Sequence, residues 1–421
     1  MLPYWIAAAL TALVSVVYAW AFRWAEGVST IWHIAHPSLA FVIVPVTMIG
    51  SMCLAKYLAP GASGSGIPQL MAADELTGRN PEWVEKLLSL RIVVVKFIGS
   101  CLSVAGGGII GREGPMLQIS ASLFRFVQQH WPERERRPSL QSMILAGGAA
   151  GLAAAFNTPL GGVIFAVEEL AKIHVSQIRT NVFHAVIIAG LLAQAFLGNY
   201  LYFGKIEVAV PNVTELVPLI LAAAAIGAIG AVSGAGLVYM ADWRAKMKTW
   251  QQLLMTALLG LAVASMIYFL GDSAMGSGRH VIVDLVDKST EPSVFLAVAR
   301  VLGNFMTYAG GVIGGVFAPS LASGAAIGAW LATLFDFANP HLWIVMGMAA
   351  FLTGVTRTPF TSLILVLEMT DTHGVILQLM IAAIVAQSAA KMIDPISFYE
   401  HMSERFLHNL GVEVTYAADP E

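Results

Sequence analysis

The sequence predicts an all-α membrane protein whose two halves repeat one plan, and three observations carry that prediction. Of 421 residues, 57% are hydrophobic and only 12% are charged, whereas a soluble chain carries about 25% charged residues and must cover its outside with polar groups. Uncharged runs close to or beyond the roughly 20 residues that cross a bilayer core follow one another along the whole chain. Landmarks of one half also recur in order in the other: Thr158-Pro159 with Glu168 returns as Thr358-Pro359 with Glu368, 200 residues later.

The apolar runs begin with Tyr4 to Phe22, Ser38 to Ala55, Ile92 to Gly111 (interrupted by Lys96), Pro138 to Val167 and Thr180 to Gly204. They continue with Leu216 to Ala241, Gln251 to Gly271, Val301 to Phe335, Leu342 to Thr356 and Val375 to Ala390. The first is read as a retained membrane helix, since no basic residue precedes it and no cleavage pattern follows it. Pro138 to Val167 and Val301 to Phe335 are too long for one straight crossing, and each contains a helix breaker, Asn157 to Gly162 and Gly310 to Gly315. Broken helices are tolerated at membrane depth only where the freed backbone is buried in protein or lines a cavity. Part of the glycine therefore serves a solute site, while Gly147xxxGly151, Gly230xxxGly234 and Gly324xxxGly328 read as helix contacts.

Further landmarks strengthen the repeat. Gly111-Arg112-Glu113-Gly114-Pro115 corresponds to Gly315-Val316-Phe317-Ala318-Pro319, and Gly64-Ser65-Gly66 to Gly276-Ser277-Gly278. Repeated membrane halves place solute sites at their interface and build them from half-helix N-termini. The division expected is residues 1–205, 206–393 and a short polar cytoplasmic tail, 394–421. Basic clusters at Arg134, Arg136 and Arg137, at Lys172 and Arg179, and at Arg244, Lys246 and Lys248 place those loops in the cytoplasm.

Composition also excludes function classes. A net charge of −3 leaves no phosphate-neutralising surface, so nucleic acid is not a partner. Cys53 and Cys101 are too few for a disulfide framework or a zinc site, and no metal or cofactor is expected. Gly106 to Gly111 fits the GxGxxG pattern without the strand and βαβ unit that give it meaning, and no HExxH occurs among the ten histidines. Gly61-Ala62-Ser63-Gly64 matches a serine-protease pattern but lacks an evident histidine base. The chain reads as no enzyme.

The chemistry concentrates in a few residues. Glu113 opens an apolar segment, so a carboxylate lies at a helix N-terminus within the membrane protein, where unpaired N–H groups favour an anion. That place holds either Glu113 or a foreign anion. Gly64-Ser65-Gly66-Ile67-Pro68 offers backbone amides, a hydroxyl and a proline-led helix start, which suits a small anion. Glu168 and Glu169 point about 100° apart on a helix, so one of them faces a pathway while the other meets solvent.

Gly64-Ser65-Gly66-Ile67-Pro68, Gly111-Arg112-Glu113-Gly114-Pro115 and Gly315-Val316-Phe317-Ala318-Pro319 resemble, in order, the anion-site signatures of the CLC chloride channel and transporter family. Gly162 to Glu169 and Glu368-Met369-Thr370 resemble family segments as well, so the likeness runs from about Ser38 to Pro395. It implies an inverted internal repeat of about 18 helices, many short or tilted, in a homodimer embedded in the cell (inner) membrane, with interface helices within Leu160 to Gln194 and Leu363 to Gln387. It further implies chloride/proton antiport, or alternatively a passive chloride channel.

By this resemblance Ser65, Gly66, Ile67, Arg112, Gly114, Val316 and Phe317 surround the anion, Glu113 is the gate, and Glu169 is the inner proton-transfer glutamate. Serine at 65 is the family's choice for chloride. One departure stands out: the family often places its inner-gate tyrosine two residues after a proline, and here Pro395-Ile396-Ser397 puts serine there, with Tyr399 two residues on. Either Tyr399 reaches the site or the inner gate is missing. Gln69 replaces an acid common after the first motif.

Overall fold

The protein is described from a computed structural model over residues 1–132, 137–170, 180–198, 201–209 and 215–412. Arg134, Arg136, Lys172 and Arg179 of the expected cytoplasmic clusters, and residues 413–421 of the expected tail, lie outside the described residues. Seventeen α-helices are present among the described residues, and no strand longer than an isolated bridge.

The first half contains α1 (Leu2–Ala35), α2 (Ala40–Cys53), α3 (Ile67–Arg79), α4 (Leu90–Ala105), α5 (Glu113–Gln129), α6 (Leu140–Phe156), α7 (Pro159–Phe165) and α8 (Thr180–Leu197). The second contains α9 (Leu216–Ala245), α10 (Thr249–Leu270), α11 (Arg279–Val286), α12 (Val294–Ala309), α13 (Phe317–Leu334), α14 (Pro340–Thr356), α15 (Pro359–Thr370) and α16 (Ile376–Ile393). Among the described residues eight helices thus lie on each side of residue 206, and α17 (Phe398–Asn409) follows.

Both overlong apolar runs break where the sequence places its breakers. Asn157 adopts φ 59°, ends α6 and lets Pro159 start α7. The run from Val301 ends α12 at Ala309 and restarts at Phe317 as α13. Eight helices among the described residues are long and apolar enough to cross a membrane. At about 1.5 Å per residue the 34 residues of α1 span about 50 Å, more than the roughly 30 Å of a bilayer core. The helix runs past Phe22, where its apolar stretch ends, and carries Arg23 and Glu26 within it.

Small residues let the helices touch backbone to backbone. Gly147 rests against Ala121 of α5, Gly230 against Phe351 of α14, and Gly324 and Gly328 against Gly347 and Trp343. A Cβ at any of these would overlap main-chain atoms, so the contacts depend on glycine.

The two halves are also locked by their repeated glutamates. Glu168 accepts N–H bonds from Phe360 (3.0 Å) and Thr361 (2.6 Å) at the start of α15. Glu368 accepts them from Leu160 (3.1 Å) and Gly161 (2.6 Å) at the start of α7. Each carboxylate caps the other half's short helix, which is favourable because an N-terminus carries unpaired donors and a positive dipole end. Glu168, read from the sequence as one of two candidates for a pathway, is thereby a cap.

The segment expected as a polar tail begins differently. Ser397 accepts the Glu400 N–H (3.2 Å) while Glu400 accepts that of Ser397 (2.8 Å), a capping box that starts α17. Phe398 and Tyr399 then turn inward and are buried.

Candidate functional site

Three loops meet at the centre of the chain. Gly111 and Gly315 exchange N–H···O bonds of 2.7 and 2.8 Å as an antiparallel pair. Gly64 donates to Val312 O (3.3 Å) and accepts from Gly314 (3.1 Å). These bonds hold the starts of α3, α5 and α13 together, with Gly66, Arg112 and Val316 as their N-caps. Pro68, Pro115 and Pro319 lie in the first turns and lack N–H groups, so the few donors left there belong to named residues.

The Ser65 loop is held so that its carbonyls are occupied. Lys96, wholly buried, donates to Ala62 O (3.0 Å) and Gly64 O (2.8 Å). Gln69 donates to Gly61 O (3.2 Å) and Ser63 O and accepts the Gly66 N–H (3.0 Å). The amide side of Gln69 is what a carboxylate at this position would lack, so Gln69 adds two donors to the loop. It also corrects one expectation: Gly66 gives its amide to Gln69 rather than offering it to an anion.

The Ser65 hydroxyl is fully buried, has no hydrogen-bond partner and rests against Gly114. A buried polar group without a partner is costly, and a chloride ion would satisfy it. Tyr399 is fully buried; its hydroxyl lies next to that of Ser65, and its electrostatic neighbours are Glu169, Tyr308 and Glu113. Of the two alternatives read from the sequence, the structure places Tyr399 next to Ser65. Ser397 is engaged in its cap, which corrects its reading as a gate.

Glu113 is fully buried at the first position of α5. Its Oε1 accepts the Tyr202 hydroxyl (3.1 Å), and its Oε2 has no hydrogen-bond partner. Tyr202 is set by its neighbours: Phe203 and Ile206 donate to Met369 O (3.1 Å) and Thr370 O (3.0 Å), and Arg279 donates to Tyr202 O (2.8 Å). Its ring stacks edge-on with Phe156 at 5.2 Å, and Phe156 packs on Phe317 at 5.7 Å. Arg112, expected beside the anion, instead donates to Ala155 O (3.2 Å) and lies 5.8 Å from the Tyr202 ring, on the wall of a second cavity. Ile67, Gly114, Val316 and Phe317 stand at the helix starts. Glu169 is buried in the wide turn Ala166–Leu170.

Two cavities approach this centre. One of about 1120 Å³ is lined by Lys56, Lys86, Arg91, Arg125, Arg244 and Arg405 against a single acid among the described residues, Glu85, and reaches Ser63, Gly64 and Tyr308. Such an excess of positive charge gathers anions, and Arg244 belongs to a cluster expected in the cytoplasm. The other, about 290 Å³, is lined by Glu26, Arg112, Tyr202, Ser277 and Arg279 among others. At the bottom of the larger cavity the Ser65 N–H donates to the Tyr308 hydroxyl oxygen (3.4 Å).

Tyr202, Tyr308 and Lys96 were not identified as site residues from the sequence. Lys96 carried a signal, as a lone charge within an apolar run; the two tyrosines carried none.

Comparison with known proteins follows this geometry. The model of the voltage gated chloride channel family matches residues 40–391. The H(+)/Cl(-) exchange transporter ClcA of Klebsiella pneumoniae (strain 342) is 30% identical over 429 residues, covering 94% of this chain and 87% of that protein. The ClcA of Salmonella agona (strain SL483) is 30% identical over 436 residues, covering 96% and 88%. Among solved structures, a slow cyanobacterial Cl-/H+ antiporter superposes with a TM-score of 0.84 at 24% identity over 98% of both chains. A CLC-type fluoride/proton antiporter superposes with a TM-score of 0.80 at 21% identity over 95% of this chain and 96% of that one. The loops that meet around Ser65, Glu113 and Phe317, and the family model that spans them, agree: this multi-pass membrane chain belongs to the voltage gated chloride channel, or CLC, family.

Proposed function

We propose that this protein exchanges chloride for protons across the cell (inner) membrane of its source. The observation that carries the reading is the carboxylate of Glu113 at the start of α5, where the next residue, Gly114, lies against the unpartnered hydroxyl of Ser65. Deprotonated, it is a tethered anion at a place that favours anions; protonated, it has no charge to keep it there. Proton binding and chloride movement are then linked at one position.

In this reading the Ser65 hydroxyl and the amides of Val316 and Phe317 hold the central chloride. The basic cavity collects chloride from the cytoplasm, and Tyr399, with Tyr308 below it, closes the site from that side. Tyr202 latches Glu113 from the outer cavity. Glu169 receives protons on the cytoplasmic side and exchanges them with Glu113 past Tyr399, the buried group that has both acids as electrostatic neighbours.

Residues 1–205 and 206–393 act as two walls of this pathway, and α17 supplies its inner closure. The functional unit is a homodimer. Its subunit interface falls within Leu160 to Gln194 and Leu363 to Gln387, where apolar side chains such as Leu160, Leu191 and Leu377 are exposed.

The test reconstitutes purified protein with Glu113→Gln beside the wild type and follows chloride and proton flux together. Exchange predicts proton flux in the wild type only, with chloride flux in both. Chloride flux without proton flux in the wild type would make the protein a passive channel.

A further inference from the structure

The Ser65 loop has a twin. Gly276-Ser277-Gly278 occupies the corresponding place before α11, and the glycines of both loops take the left-handed backbone: φ 62° and 115° at Gly64 and Gly66, 60° and 84° at Gly276 and Gly278. Side chains there would be strained. The buried cation repeats as well. Lys96 of α4 donates to Ala62 O and Gly64 O, and Arg300 of α12, wholly buried, donates to Met275 O (2.9 Å) and Gly276 O (3.3 Å). One loop borders the large basic cavity, the other the small opposite cavity.

The twins differ in what they hold. The Ser65 hydroxyl has no partner. The Ser277 hydroxyl and N–H both donate to Oε1 of Glu26, at 2.7 and 3.0 Å. A carboxylate from α1, 251 residues away in sequence, thus occupies the donor pair. Arg300 has a buried Nε with no hydrogen-bond partner, and Glu26 is the acid within its electrostatic reach. A buried guanidinium needs a counter-charge, and Glu26 supplies it here.

We propose that the Gly276–Gly278 loop is a second halide site, held in this chain by the carboxylate of Glu26 in place of the halide. The proposal rests on the reading of the Ser65 loop as an anion site and extends it to the opposite cavity. Its logic is the one given for Glu113: a carboxylate and a monovalent halide compete for the same N–H and O–H donors. Because Glu26 is tethered, it excludes chloride from the outer loop, and the pathway keeps its anion at the Ser65 loop.

The test locates bromide by anomalous diffraction in crystals of the full chain, for the wild type, Glu26→Ala and Glu26→Gln. Bromide is expected at the Ser65 loop in all three. A further bromide on the Ser277 N–H and hydroxyl is expected only in Glu26→Ala, because glutamine keeps an acceptor in place. Titration with bromide in detergent should read the same difference as one additional halide per subunit. If alanine prevents folding, Glu26→Ser, which also leaves the loop open, carries the test. Bromide at the Ser65 loop but not at Ser277 in the opened variant overturns this proposal and leaves the exchange reading intact. Bromide at neither loop overturns the reading beneath it.

Discussion

Helices α5 and α13 begin alike, and of the three positions at which their starts differ, Arg112 against Val316, Glu113 against Phe317 and Gly114 against Ala318, one changes the chemistry of the first turn. Both follow a glycine pair joined across the repeat, Gly111 with Gly315, both place proline at their third position, and both start within the protein rather than at its surface. At the first position α5 carries Glu113 and α13 carries Phe317. The same backbone therefore presents a titratable acid on one side and only amides and a ring on the other. A duplicated scaffold supplies two favourable ends for an anion. The change of one residue turns one of them into a competitor for that anion.

The largest effect expected is from erasing this difference. Glu113→Gln makes the α5 start neutral like that of α13, and proton flux should fall below detection while chloride flux persists. Paired chloride-electrode and pH recordings from proteoliposomes check this, and proton flux retained at the wild-type level would break the comparison.

A smaller loss is expected at the inner closure. Tyr399→Ala removes the buried group beside Ser65, and the number of protons moved per chloride should fall several-fold with chloride flux kept. The same recordings give that ratio. Unchanged coupling would mean that Tyr399 only fills space.

Tyr308→Phe keeps the ring and removes the hydroxyl that accepts the Ser65 N–H. That frees a donor worth about 1 kcal/mol, so chloride affinity should rise about fivefold, as read by titration calorimetry in detergent. Affinity that is unchanged or lower would show that the bond does not compete with the anion.

The smallest effect tests the symmetry itself. Glu168→Gln and Glu368→Gln each weaken one reciprocal cap, by about 1 kcal/mol, and each should lower the melting temperature in detergent by about 2 °C. Equal shifts sharpen the picture of twin locks. A large shift for one variant alone would show that the halves carry unequal loads.

Much of this was legible in the sequence, for physical reasons. Breakers such as Asn157-Thr158-Pro159 act locally, so the splitting of overlong runs could be read from neighbouring residues. The helix starts at Ser65 and Glu113 could be read because glycine and proline around them mark such starts, where anions are favoured, and Phe317 as the counterpart of Glu113 in the repeat. Contacts between distant segments could not. Tyr202 reaches Glu113 from the stretch after α8, and Tyr308 reaches Ser65 from the last turn of α12, with no spacing rule to connect them.

Glu168 and Glu368 were visible as repeated landmarks, but their exchange of caps required knowing that α7 and α15 lie side by side. Ser397 misled for a different reason. Serine before a helix with glutamate three residues later is a capping signature, and that local rule places Ser397 at the cap and Tyr399 inside. Glu26 lay beyond the apolar run of α1, where nothing in the sequence pointed to its partner on α11's leading loop.

The measurement that bears most directly on the central claim reconstitutes the wild-type protein in liposomes with a chloride gradient, sets the voltage with valinomycin and potassium, and follows external pH. The account predicts that chloride running downhill drives protons uphill. Chloride flux with no movement of pH would contradict it.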